Sequence, residues 1–283
     1  MEVKVFKEHE FKSQDYENAI IQGDCLRVMD KLPSETYHMV FIDPPYFLQL
    51  PKGRKLRRWE VKTEVNGLQE EWDQFESFED YDRFVIEVLT RVRRLMKENA
   101  TVWVIGTYHN IYRWGKIMQD MGFWILNDVI WLKTNPMPNW LGVRFTNATE
   151  TLLWAVKDRK VKGYTFNKEY AKKFGIGKVY ENVWRIPICS GSERLRDQKG
   201  EKVHPTQKPE ELLKRVILSS TKEGDLILDP MAGVGTTGVV AYKFGRRFTL
   251  IEREERYVEW TLKRFKSITE KDLLFQGLRN DRL

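Results

Sequence analysis

Cysteine is nearly absent from this chain of 283 residues: Cys25 and Cys189 stand alone, and only four histidines accompany them. The two thiols lie far apart, which offers neither a disulfide framework nor the short ligand spacing of a zinc site, so no structural or catalytic metal is expected. Long apolar runs are missing too. No stretch approaches the roughly eighteen consecutive apolar residues of a membrane span, and Met1 to Phe11 is charged where a secretory signal would be apolar. These absences point to a cytoplasmic protein with no membrane contact. Internal repeats and low-complexity tracts are also lacking, which leaves one large domain, or one domain with an insertion. Charge is plentiful: 48 Lys and Arg against 41 Asp and Glu give a net +7. That balance favours a polyanionic partner, although an excess of this size also occurs on proteins that bind no nucleic acid.

What is present begins with Asp43-Pro44-Pro45-Tyr46, which follows the apolar run Met39-Val40-Phe41-Ile42. Four β-formers running into an acid and two prolines read as a buried strand stopped at its C-terminal end. The prolines fix φ and remove two N–H donors, so the chain beyond is stiff and its carbonyls are expected to be unpaired. A carboxylate, a bare carbonyl and an aromatic face around one point suit a planar ring with an exocyclic amine, which could stack on Tyr46 and donate to Asp43. A plain surface turn would also satisfy the tetrapeptide taken alone.

A second motif lies far downstream. Leu226-Ile227-Leu228-Asp229-Pro230 leads into Met231-Ala232-Gly233-Val234-Gly235-Thr236-Thr237-Gly238, an apolar strand, a glycine-rich turn and a helix start. Gly233, Gly235 and Gly238, with Glu252 about twenty residues on, also satisfy the dinucleotide fingerprint, so NAD is a competing ligand. Asp229 argues against it, because a carboxylate there would repel a pyrophosphate and attract an ammonium group. Too little chain follows the loop to build a whole nucleotide-binding sheet, so the N-terminal half must complete the same one. Glu252 ends the next strand, Arg247 to Ile251, where it can accept from ribose hydroxyls. This chemistry fits S-adenosylmethionine.

Along its length the chain reads as α/β. Strands are expected at 18–22, 38–42, 101–105, 123–131, 151–156, 226–228 and 247–251. Helices are expected at 26–32, 80–97, 111–121 and 210–220, the second carrying Phe84, Val85, Val88, Leu89, Val92 and Leu95 at helical spacing. Lys52, Arg54, Lys55, Arg57, Arg58 and Lys62 crowd one segment just after the tetrapeptide, either a solvated loop or a functional one that holds a polyanion. From 158 to 203 basic residues interleave with Tyr164, Phe166, Tyr170 and Trp184, a mixture that suits nucleic acid and equally a solvated helical excursion.

Taken together, the tetrapeptide and the glycine loop resemble the amino-methyltransferases of DNA. With the tetrapeptide first, the order resembles the beta arrangement, a circularly permuted Rossmann-like fold. The resemblance narrows to the cell-cycle-regulated adenine methyltransferases, and their restriction-system relatives, that modify GANTC. It is carried by Ile21 to Cys25, Asp43 to Leu50, Glu71 to Phe75, Asn135 to Asn139, Arg144 to Ala148, Cys189 to Leu195 and His204 to Pro209. Three departures stand out: Phe47 replaces the family's Asn, Met231-Ala232 replaces an aromatic pair, and the branch's extra C-terminal DNA-contacting region is expected to be missing.

The resemblance implies a mostly parallel, seven-stranded sheet with helices on both faces. It implies a catalytic half at 1–157 with a basic DNA loop at 47–76, a target-recognition insertion at 158–203 and a cofactor-binding half at 204–283. Asp43, Pro44, Pro45 and Tyr46 would be catalytic. S-adenosylmethionine would be held by Asp24, Lys208, Asp229, Pro230, Ala232, Gly233, Gly235, Thr236 and Glu252, with Lys208 on its carboxylate. Without the resemblance, Asp24 reads as a helix N-cap. His204, next to proline, reads as structural. Duplex DNA would be contacted by Arg54, Lys55, Arg57, Arg58, Arg144, Asn147 and Arg194, and the protein would act as a homodimer. The implied activity is methylation of adenine N6; an N4-cytosine enzyme and an inactive DNA-binding relative are the alternatives.

Overall fold

The runs Met39–Ile42, Val102–Ile105 and Leu226–Leu228 carry apolar side chains on both sides, so each must be covered on both faces, and all three become interior strands of one sheet. The computed structural model describes residues 2–48, 75–139, 142–175 and 180–280. Arg54, Lys55, Arg57 and Arg58 therefore lie outside the described residues. In chain order the elements are β1 (Lys4–Lys7), β2 (Ala19–Gln22), α1 (Cys25–Lys31), β3 (Tyr37–Ile42), α2 (Phe78–Leu95), β4 (Met96–Gly106), α3 (Ile111–Asp120), β5 (Trp124–Lys133) and β6 (Thr149–Val156). They continue through α4 (Lys168–Ala171), β7 (Val183–Ile186), α5 (Glu210–Ser220), β8 (Leu226–Asp229), α6 (Thr236–Lys243), β9 (Arg247–Glu252) and α7 (Glu255–Asn280).

The strand order is β1-β2-β9-β8-β3-β4-β6-β5-β7, with β6 antiparallel to both neighbours and all other pairings parallel. Among the described residues, nine strands replace the seven expected. The two additions are four-residue strands at the edges, too short for a periodic signal. In β1, Lys4-Val5-Phe6-Lys7 is exposed or half-buried, as an edge permits. In β7, Trp184 and Ile186 are buried while Arg185 faces out, so this piece of the 158–203 segment belongs to the sheet.

Alternation along the strands splits the core into two layers. On one face Val40, Ile42, Val102 and Val104 pack with α1, α2 and α3; on the other Met39, Phe41, Trp103 and Ile105 pack with α5, α6 and α7. Trp103 and Trp154 are direct cross-strand partners with rings stacked at 5.2 Å, and the Trp103 indole N–H donates to Ser220 Oγ at 3.1 Å. Because β2, β9, β8, β3 and β4 run parallel, their C-terminal ends meet along one edge. In an open α/β sheet that edge is where a ligand site forms. It gathers Asp24, Glu252, Asp229 and Asp43.

Candidate active site

Each acid on this edge is placed by a local rule. Asp24 follows β2 and caps α1, its Oδ1 accepting from the backbone N–H of Leu26 at 3.0 Å and of Arg27 at 3.1 Å. Glu252 ends β9 beside β2, in register with Gln22. Its Oε2 accepts from the Gly233 N–H and its Oε1 from the Glu254 N–H, both at 2.8 Å, which ties the strand end to the glycine loop. Asp229 ends β8, accepting from Met231 N at 3.0 Å and Thr237 Oγ1 at 2.6 Å. Burial pushes the Asp229 and Glu252 carboxyls up to about 7.

Gly233 and Gly235 hold φ of +52° and +72°, in the left-handed region that favours glycine. At Gly235 space decides as well, since an added Cβ would lie 2.3 Å from Thr261 Cγ2. The Arg264 guanidinium clamps the turn from α7, donating to the Val234 carbonyl at 2.8 Å and Thr236 Oγ1 at 3.0 Å while pairing with Glu210 at 3.0 Å.

Beside this loop stands the tetrapeptide. The Lys208 ammonium, 5% exposed, meets Asp43 Oδ2 at 2.9 Å and Glu150 Oε2 at 3.9 Å, and lies 5.0 Å from the centre of the Tyr46 ring. The Tyr46 hydroxyl donates to Glu150 Oε2 at 2.8 Å, and Lys133 Nζ pairs with Glu150 Oε1 at 2.9 Å. A buried and a partly buried carboxylate thus face two lysines, the compensation that buried charge requires. Burial raises the Asp43 carboxyl, an effect only partly offset by Lys208. It would raise Glu150 as well, but Lys208 and Lys133 outweigh it and hold that carboxyl below its usual range. Burial works against the Lys208 charge, yet Asp43 and Glu150 raise its pKa.

The expectation of bare carbonyls after β3 is corrected at Pro45. Its oxygen accepts from the Tyr81 hydroxyl at 2.6 Å, and Tyr81 in turn accepts from the Trp114 indole N–H at 2.9 Å. Phe47 holds φ of +50°, a strain offset by burial, its ring stacked on Tyr81 at 5.5 Å and edge-on to Phe75 and Phe78.

The loop, the strand ends and the tetrapeptide enclose one cavity of about 320 Å³ lined by Asp24, Asp43 to Tyr46, Lys208, Asp229 to Val234, Thr236 and Glu252. A volume of this order suits a small ligand. Its wall carries more carboxylates than ammonium groups, so a cation-bearing ligand fits and a pyrophosphate does not. Gly235 is the one predicted cofactor residue that does not line it.

Three predicted residues find partners other than those expected. Lys208 is paired with Asp43 and Glu150 because a lysine this buried must be compensated. Arg194 gives its guanidinium to the carbonyls of Cys189, His204 and Pro205, which braces the His204 to Pro209 segment. Arg144 stands apart from it on the β5–β6 connection, exposed and donating to Tyr108 Oη at 2.9 Å, with Asn147 exposed nearby in the chain. Burial and the nearby cations Lys208, Arg256 and Arg194 push His204 down to about 3, so its ring is neutral.

Sequence reasoning missed Glu150, Lys133, Tyr81 and Arg264. A lone acid opening the apolar strand Leu152 to Val156, and a lone lysine closing Trp131-Leu132, were the available signals. Among the described residues no cluster of His, Cys, Asp and Glu could hold a metal, and no helix is long and apolar enough to cross a membrane.

The N6/N4 DNA methylase family matches residues 37–263. The type II methyltransferase M.HinfI of Haemophilus influenzae is 47% identical over 254 residues, which span 90% of this chain and 70% of that protein. M2.LlaDCHI of Lactococcus lactis subsp. cremoris is 42% identical over 249 residues, spanning 88% of this chain and 89% of its own. Among solved structures, the M1.HpyAVI–SAM complex shares the fold with a TM-score of 0.62 at 24% identity, over 87% of this chain and 98% of that one. The cytosine-N4-specific PvuII DNA methyltransferase does so with a TM-score of 0.66 at 20% identity, over 87% and 85%. With the family matched from β3 into α7 and both relatives aligned along most of their length, the chain belongs to the N6/N4 family of DNA methylases.

Proposed function

We propose that this DNA methylase moves a methyl group from S-adenosylmethionine to N6 of an adenine turned out of duplex DNA. The observation that carries the reading is the meeting, in one cavity, of the Asp43–Tyr46 tetrapeptide with the acid-lined glycine loop. Bound there, the cofactor supplies a sulfonium methyl, which is already activated for transfer. Asp24, Glu252 and the loop from Asp229 to Thr236 would hold it, with Lys208 near its carboxylate.

The chain's own residues then position and accept. The Tyr46 ring offers a stacking face that offsets part of the few kcal/mol needed to unstack the base. Asp43 and the Pro44 carbonyl accept from the N6 amine, the Pro45 oxygen being taken by Tyr81. These bonds aim the nitrogen lone pair, and positioning supplies most of the acceleration. The proton leaves after transfer, when N6 carries positive charge. Asp43 suits that role because its own burial raises its affinity for a proton.

Asp at the head of the tetrapeptide favours adenine over cytosine. N4-cytosine is the second reading, supported by the fold shared with the PvuII enzyme. The β5–β6 connection rises beside Glu150 and Lys133, so Arg144 and Asn147 are the residues we place on base edges, guanine and adenine respectively. Arg54, Lys55, Arg57 and Arg58 would grip phosphates in the 47–76 segment. Arg194, engaged with carbonyls, would act by bracing, and the 158–203 segment would carry further DNA contacts. GANTC is the proposed target and a two-fold dimer the proposed assembly, on a fold permuted so that the catalytic strand precedes the cofactor loop.

Incubation with labelled cofactor and duplex DNA, followed by nucleoside analysis, tests the chemistry. N6-methyladenine is expected; N4-methylcytosine would transfer the reading to the other base, and no transfer would leave a DNA-binding relative. Single-molecule sequencing of DNA from a methylation-free host expressing the protein reads out the target. Modified adenine confined to a motif unrelated to GANTC would reject the site while keeping the class.

A further inference from the structure

Stacking a base requires the Tyr46 ring to be held in one plane, yet the two prolines before Tyr46 fix backbone rather than side chain. What fixes the ring comes from a neighbouring pair of strands, β5 and β6, whose residues Lys133 and Glu150 lie beside Tyr46. Glu150 is the second residue of β6 and Lys133 the last of β5, two strands paired antiparallel with Leu132 opposite Thr149. The strand pair therefore sets where both side chains emerge. Glu150 is 9% exposed, its Oε2 accepts from the Tyr46 hydroxyl at 2.8 Å and its Oε1 is paired with Lys133 at 2.9 Å. An acid so buried at the mouth of an apolar strand is costly unless every oxygen is satisfied. Here one oxygen is engaged by the ring of the tetrapeptide and the other by an otherwise unexplained lysine.

We propose that Glu150 is a positioning residue for methyl transfer: anchored by Lys133, it fixes the plane of the Tyr46 ring through the tyrosine hydroxyl and so fixes the stacked base against Asp43. The inference rests on the reading that Tyr46 stacks the target base. It accounts for a tyrosine where phenylalanine would stack equally well. It also gives the β5–β6 connection, whose ends are Lys133 and Thr149, a direct hold on the catalytic ring. Lys133, Lys208 and Asp43 face Glu150 together with Tyr46, and the two lysines keep it ionised.

The test is single-turnover methylation at saturating cofactor and DNA, with cofactor affinity and melting temperature measured on each variant. Displacement of the base by an ångström can cost about a hundredfold in rate, so Tyr46→Phe and Glu150→Ala should each slow transfer by about ten- to a hundredfold. Because both remove the same hydrogen bond, the double variant should be no more than about threefold slower than the slower single. Glu150→Gln keeps a hydrogen-bonding group toward both Tyr46 and Lys133 and should recover transfer to within about fivefold of wild type. Cofactor affinity should stay within about twofold throughout.

Losses that multiply in the double variant would overturn the proposal, as would a Glu150→Ala protein that works at the wild-type rate. Should Glu150→Ala fail to fold, Lys133→Met replaces it, and wild-type rates in both Lys133→Met and Tyr46→Phe would refute the idea. A wild-type protein that methylates no duplex removes the underlying reading, and this one with it; an active wild type with indifferent variants removes this one alone.

Discussion

Asp229 and Glu252 show how far one buried carboxyl can set the behaviour of a site. Both are pushed up to about 7 by burial, against about 4 in an unfolded chain. A raised acid pKa means that the folded state holds the proton more tightly. That contribution is fully present below about pH 4 and is lost as pH climbs to about 7, so the free protein should melt at progressively lower temperature across this window. A cation-bearing ligand favours the ionised forms. Affinity for S-adenosylmethionine should therefore rise between about pH 6 and 8, with up to about one proton released on binding at neutral pH, half from each acid. Calorimetry in two buffers of different ionisation heat counts those protons, and an affinity flat across the range would dismiss the electrostatic account. Asp43→Ala should behave differently, cutting methyl transfer by about a hundred- to a thousandfold while cofactor affinity stays within a few-fold of wild type. Appreciable transfer by that variant in a single-turnover assay would sink its assigned role. These acids were legible in the sequence because each ends or follows a strand within a recognisable motif. Glu150 and Lys133 were not, since their meaning depends on a cross-strand register that brings them to Tyr46. Phe47 became intelligible only with its aromatic neighbours, which compensate a backbone angle that the family's Asn would tolerate more easily.

Elements, by contrast, were legible wherever the apolar pattern ran long. The seven expected strands all exist, and the helix expected at 80–97 is α2, with Val85, Val88, Leu89, Val92 and Leu95 buried. The two missed strands, β1 and β7, are edge pieces whose pairing is decided by a neighbour rather than by their own composition. Interactions between elements were less visible still, and Arg264 is the clearest case. From α7 it reaches the turn before α6 and Glu210 at the start of α5, so three elements share one guanidinium. Hydrogen bonds to a charged group contribute about 1.5–3 kcal/mol, and Arg264→Met should lower unfolding free energy by about that amount. Denaturant melts would register it as a lower midpoint at unchanged slope. Gly235→Ala should cost as much or more through a different route, because its φ of +72° is strained for any side chain and Thr261 Cγ2 would lie 2.3 Å from the new Cβ. A Gly235→Ala protein as stable as wild type, with unchanged cofactor affinity, would show that the turn can be rebuilt without glycine.

On the scale of the whole molecule, charge of the two signs is put to different uses. The chain carries a net +7, yet the cavity at the C-terminal edge of the sheet is lined by Asp24, Asp43, Asp229 and Glu252 with Lys208 among them. Such a cavity admits a neutral base and a cationic cofactor but repels phosphate. The polyanionic strand must then be held outside it, by the basic excess elsewhere. The densest basic run in the sequence, Lys52 to Arg58, follows directly on the tetrapeptide and is the natural candidate. Replacing Arg54, Lys55, Arg57 and Arg58 by serine should weaken DNA binding with little dependence on sequence. For every phosphate left without its cation, the plot of log K against log salt should flatten by about 0.9. Cofactor affinity should not change, since the acid-lined cavity is untouched. A dimer would present this segment twice to one duplex, so the wild-type slope should be about double that of any variant confined to the monomer. Light scattering in parallel with the salt titration separates the two ideas: a fully active monomer at nanomolar concentration refutes the dimer, and an unaltered slope in the four-serine variant refutes the clamp.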